Sequence, residues 1–189
     1  MSTLIEAPSR IEPCLLDEAG AEIIDLVAEL SAATHTLGSR LHTRSAEALA
    51  DLVRVMNCYY SNLIEGHNTT PRDIERALAD QFDASEARRN LQLEARAHIR
   101  LQREIDRQFA AGSLPEPASG SFIRGLHRSF YDDAPEAMLL VEGGGRQVRM
   151  IPGEYRSTTD HEVSVGRHIP PSASAIEAFM AHFERRGQN

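Results

Sequence analysis

The chain has 189 residues, of which 41% are hydrophobic and 25% charged, and it carries a net charge of −8. That length supports one domain, or a domain and a half, with a real core, and the acidic balance argues against a general affinity for nucleic acid or an anionic membrane surface. The apolar run "MLLV" at 138–141 is too short to span a bilayer, and "MSTLIEAPSR" lacks the basic flank and apolar stretch of a secretory leader. A cytoplasmic protein is expected, with Cys14 and Cys58 reduced rather than paired.

Most of the chain reads as helix. Residues 18–37 place Ile23, Leu26, Val27 and Leu30 at three-to-four spacing, and 45–63 repeat this through Leu49, Leu52, Val53, Met56, Tyr60 and Leu63. Thr43 or Ser45 suits the second helix as N-cap, and Gly66 suits its left-handed end. A third helix starts at Thr70, with Pro71 in its first turn and Asp73 completing a T-x-x-D capping box. "SEARRNLQLEARAHIRLQREIDRQFA", 85–110, predicts a long amphipathic helix capped by Ser85, its mixed charges forming a solvated face. "AGSLPEPASG", 111–120, is the main break, and a short helix follows at 121–131. "GGGRQVRMIPGEYR", 143–156, and "HEVSVGRHIPP", 161–171, alternate and predict a β-hairpin or flap. Residues 172–186 return to helix, with Ile176, Phe179, Met180 and Phe183 on one side. The expected class is mainly α, a helical bundle with one hairpin.

The residues do not assemble a recognisable catalytic set. The chain has no GxxxxGK(S/T) loop, no GxGxxG after a strand, no GxSxG elbow, and neither CxxC nor HExxH. "GGGR" at 143–146 enters no helix and has no lysine after it, so it reads as a turn into the hairpin. His127, in "LHRSFY", is a candidate general base, but a lone histidine on an amphipathic helix is usually structural. Glu65 is harder to explain, because a helix C-terminus favours cations over a carboxylate.

"SNLIEG", Ser61 to Gly66, fits the (S/T)xxxE(G/N) pattern of the inhibitory helix in Fic-family proteins. It sits within "YYSNLIEGHNTTPRDIERAL", and "IPGEYR" and "VGRHIPP" follow in the order of the same family's target-docking hairpin. Residues 15–186 resemble the N-terminal portion of such a protein, with a helical region over 1–110 and the first part of a Fic-like helical bundle over 111–189. The bundle's core is expected to be incomplete.

Fic enzymes transfer AMP from ATP to Ser, Thr or Tyr hydroxyls of a target protein, using a motif HxFx(D/E)GNGRxx(R/K). That motif is missing from this chain, so no catalytic residue and no metal ligand is expected here. ATP and Mg²⁺ serve the complete family enzyme, and neither is expected to bind tightly to these 189 residues. The resemblance implies that Glu65 is an inhibitory carboxylate reaching the γ-phosphate site of a catalytic core, helped by Ser61 and released into a turn by Gly66. It implies a target-docking flap formed by Arg149, Met150, Ile151, Pro152, Gly153, Glu154, Tyr155 and Arg156, with Val163 and Val165. The expected partners are a hydroxyl-bearing target protein and either a catalytic half or a second copy. Two other readings are open: a module that inhibits a separate Fic core in trans, or the product of a decayed, truncated gene. The apolar faces of 121–131 and 172–186 lack the partners a complete bundle would give them, so self-association or a covered patch is expected at that end.

Overall fold

The computed structural model describes residues 6–14, 18–143, 146–162 and 170–187. The chain gathers into two units, Cys14–Glu75 on its own, and Met1–Pro13 together with Arg76–Asn189. The architecture is mainly α, with one two-stranded antiparallel sheet among the described residues.

The first unit holds helices α1 (Ala21–Arg40) and α2 (Thr43–Ile64) and ends inside α3 (Pro71–Leu78). Helix α1 starts after Gly20 and continues through Gly38, three residues beyond the expected end. The N-cap of α2 is His42, whose Nδ1 accepts the Arg44 N–H at 3.2 Å, while Thr43 and Ser45 lie inside the helix. Imidazole nitrogen serves here as the capping acceptor that a hydroxyl usually provides. Val55 and Cys58, three residues apart, are buried on one face of α2. Burial pushes the Cys58 thiol up to about 11, which leaves it protonated and unreactive at neutral pH. Cys14 is exposed, and both cysteines are free.

The T-x-x-D box forms as the sequence predicts. Thr70 Oγ1 accepts the Asp73 N–H at 3.3 Å, and Asp73 Oδ2 accepts from the Thr70 N–H at 3.1 Å and its hydroxyl at 2.6 Å. Two otherwise orphaned donors at the start of α3 are thereby satisfied.

The second unit is built on α4 (Glu86–Ala110), which packs against α5 (Gly120–Phe130). Gln92, Ala95 and Ile99 are buried at the i, i+3, i+7 positions of one stripe. Ser85 occupies the N-cap of α4 without a side-chain bond; Asp83 instead accepts the Ser85 N–H at 2.9 Å. Ser119 caps α5, accepting the Phe122 N–H at 3.2 Å. Arg100 ties α4 to the end of α5 by donating to Ser129 O and Asp133 Oδ2.

The final helix, α7 (Ile176–Gly187), follows a short 3-10 turn at Ala173–Ala175. Its apolar face is covered, which is one of the two outcomes expected. The 3-10 segment Pro8–Ile11 packs against it, and Phe179 is buried. Glu12 pairs with His182 at 2.9 Å and with Arg186 at 2.8 Å, and Glu6 accepts from Ser172. Residues from the start of the chain thus supply the cover, which helical periodicity within 172–186 had no means of revealing.

A hairpin forms with its second strand inside the expected 143–156 and its first strand just before it. A short helix α6 (Glu136–Leu139) leads into β1 (Leu140–Gly143), which pairs with β2 (Arg146–Arg149) in the register Leu140↔Arg149 and Gly143↔Arg146. The Met150 N–H donates to Leu139 O at 2.7 Å and adds one more rung. Beyond it the ladder stops, because Pro152 has no N–H to donate and Gly153 sits at φ +80°. Residues 150–156 are therefore a turn and irregular chain rather than strand. Residues 163–169, and with them Val163 and Val165, lie outside the described residues.

Candidate functional site

The two regions singled out in the sequence lie in different units, and each has its own geometry. At the end of α2, the Glu65 N–H donates to Ser61 O at 3.1 Å, the Gly66 N–H to Leu63 O at 3.1 Å, and the His67 N–H to Asn62 O at 2.8 Å. Gly66 lies at φ +79°. The two bonds after Glu65 and the left-handed glycine make a Schellman turn. No heavy atom stands within 4 Å of where a Gly66 Cβ would be, so only backbone conformation selects glycine, at about 1–2 kcal/mol against other residues.

This turn fixes Glu65 as the C-cap, with an exposed side chain. No described residue pairs with its carboxylate. Ser61 contributes through its carbonyl, and its side chain is exposed. Two buried polar atoms nearby in the chain, Asn62 Nδ2 and Thr69 Oγ1, lack a partner among the described residues. A carboxylate added to the partial negative charge of a helix C-terminus makes an exposed point of negative potential, well suited to a guanidinium.

In the second unit, the Ile151–Glu154 turn folds onto α5. Its Glu154 N–H donates to Ile151 O at 3.1 Å, with Pro152 and Gly153 in the central positions as in a type II turn. The Gly153 N–H donates to His127 Nδ1 at 2.8 Å. That bond assigns the ring proton to Nε2. The Arg124 guanidinium lies 5.2 Å from the centre of the Tyr155 ring. Arg149 forks onto Glu136 with bonds of 2.7 and 3.2 Å, and that pairing lowers the Glu136 carboxyl below the usual carboxylate range.

Between the hairpin and this turn is a cavity of about 270 Å³, whose walls include His127, Val148, Ile151, Tyr155, Arg156 and Glu162. Arg156 donates through Nη2 to Pro171 O, and its buried Nε has no partner among the described residues. Glu162 accepts the Ala173 N–H at 2.8 Å. The cavity therefore mixes an apolar wall with polar groups, of which Arg156 Nη2 and Glu162 are engaged by the fold. Arg146 and Arg149 are paired with Asp160 and Glu136, and no cluster of three or more His, Cys, Asp or Glu residues suited to a metal occurs among the described residues.

His127 has a structural task that its sequence context did not reveal. Burial lowers its pKa below the ordinary imidazole value, and protonation at Nδ1 would remove the acceptor that holds Gly153. The unfolded chain then binds more protons than the folded one at mildly acid pH, so stability rises with pH. This contribution is fully present above about 6.5 and declines as pH falls below that value. His98 shifts in the same direction through burial. Urea titrations between pH 5 and 7 are expected to show stability falling toward pH 5, with a shallower slope in His127→Asn, which keeps an acceptor without titrating. An unchanged slope would remove His127 from this role.

Sequence reading singled out Glu65, Gly66 and Arg149–Arg156, the last as a flap rather than a turn, and missed the partners that position that segment: Arg124, His127 as acceptor, and Glu136. The spacing of 26 residues between His127 and Gly153 has no local signature. No family model matches the chain, and neither a curated protein nor a solved structure matches it.

Proposed function

We propose that this chain is the inhibitory and target-docking part of a Fic-type protein adenylyltransferase system, and that it does not transfer AMP itself. The observation that carries this reading is the presentation of Glu65. A Schellman turn holds an exposed carboxylate at the end of α2, unpaired by any described residue, within the pattern Ser61-x-x-x-Glu65-Gly66. In the proposed action, Glu65 pairs with an arginine of a catalytic core and occupies the space a nucleotide's γ-phosphate needs. A carboxylate repels polyphosphate and is held strongly by a guanidinium in a dry site, so the two compete for one cation.

The segment Arg149–Arg156 is the proposed docking element for the target polypeptide, with hydroxyl groups of Ser, Thr or Tyr as acceptors of AMP. Its attachment to α5 through His127, Arg124 and Tyr155 supports a rigid platform at the base of the hairpin. ATP and Mg²⁺ belong to the catalytic core of the proposed system. The proposed location is the cytoplasm; among the described residues, no helix is long and apolar enough to cross a membrane.

The test joins these residues to a Fic-type core carrying HxFx(D/E)GNGR and follows labelled AMP transfer from ATP. The joined protein is expected to be at least tenfold less active than its Glu65→Gly variant, equivalent to about 1.4 kcal/mol or more of restraint. Equal activity of the two proteins would refute the inhibitory role. AMP transfer by the 189-residue chain alone would refute the claim that it is inactive.

A further inference from the structure

Helix α1 carries no buried residue. Ile23, Leu26, Val27, Leu30 and Leu37 are 46% to 68% exposed. Four of them, with Ala33, recur at 23, 26, 30, 33 and 37, the alternating three-and-four spacing of a helix-pairing seam, and Val27 widens the stripe on one side. Glu22, Asp25 and Glu29 lie outside this stripe, and no charged residue falls within it. Thr34, which does fall within it, donates its hydroxyl to Leu30 O at 2.8 Å, so its polar group needs no water. Helix α2 has a similar second face. Leu49, Leu52, Val53, Tyr60 and Leu63 are 41% to 55% exposed on the side away from buried Val55 and Cys58.

We infer that these stripes form a two-fold interface with a second copy of the chain. The argument is area and self-complementarity. Ten half-exposed large side chains in one unit offer roughly 900 Å² per copy, against the roughly 800 Å² per partner of a standard interface. An uncharged seam can meet its own copy across a two-fold axis without opposing like charges, and a two-fold contact uses the same patch on both sides. Exposed apolar surface of this extent on a helix pair marks an association site. This inference goes beyond the proposed inhibitory action and does not depend on it.

The experiment is sedimentation equilibrium of the full 189-residue chain at micromolar concentration, beside Leu26→Glu/Leu30→Glu and, separately, Leu52→Lys. None of these residues is buried, and far-UV circular dichroism reports whether helix content is kept. The expected result is a wild-type dimer, with both variants shifted to monomer at least tenfold and helix content unchanged. A wild-type monomer across the range overturns the proposal, as does a dimer that survives both sets of substitutions. A monomer that binds a Fic-type catalytic core through this stripe also overturns it, and assigns the face to that partner. Because no activity is read, failure here leaves the inhibitory role of Glu65 to be judged by its own assay.

Discussion

Gly153→Val is expected to destabilise the second unit by about 2–5 kcal/mol. Two independent costs add. Gly153 sits at φ +80°, where an L side chain is strained by about 1–2 kcal/mol and a β-branched one by more. A Cβ at this position would also stand 2.9 Å from Arg124 O and 2.9 Å from Arg128 Cβ, both belonging to α5. Relief requires the turn to lift from the helix, which breaks the 2.8 Å bond from the Gly153 N–H to His127. The chain has no tryptophan, so unfolding in urea is best followed by far-UV circular dichroism. A midpoint equal to wild type would mean that the turn is not pressed against α5.

The second large effect is expected from Ile99→Ala in α4. Ile99 is fully buried, on the same stripe as Ala95 and Gln92, where α4 packs on α5. Truncation removes three carbons from a fully buried site, so about 2–5 kcal/mol of stability is lost. Phe109 on the same helix provides the control. It is 74% exposed, and Phe109→Ala is expected to shift stability by no more than about 0.5 kcal/mol. Equal effects from the two substitutions would contradict the burial pattern on which the α4–α5 packing rests.

Helices were legible in the sequence because their evidence is local. The three-to-four spacing located α1, α2, α4, α5 and α7 within a few residues, and the T-x-x-D box marked the start of α3 correctly. What failed depended on residues distant in sequence. The hairpin was expected to run through "IPGEYR", but its second strand ends at Arg149, and Pro152 and Gly153 turn the chain down onto α5. Its true first strand, Leu140–Gly143, is four residues long and follows directly from α6, too short for a periodic signal. The cover over α7 comes from Pro8–Ile11 and Glu12, more than 160 residues earlier in the chain.

The two candidate regions differed in the same way. Glu65 and Gly66 were identifiable because a Schellman turn is written in a few consecutive residues. The attachment of Gly153 to His127, and the pairing of Arg149 with Glu136, bring together side chains that no spacing rule connects. An expectation drawn from resemblance supplied the role of Glu65. The structure adds that this carboxylate is exposed and that no described residue pairs with it, on which the proposed role depends.

Glu65→Gln in the joined protein tests the central claim most directly, with AMP transfer compared among wild type, Glu65→Gln and Glu65→Gly. Glutamine keeps the size of glutamate and removes only its charge. If Glu65 acts by pairing with an arginine of the core, Glu65→Gln should recover most of the activity recovered by Glu65→Gly. If Glu65→Gln stays as inhibited as wild type, the restraint comes from bulk rather than charge, and the carboxylate is not the operative group.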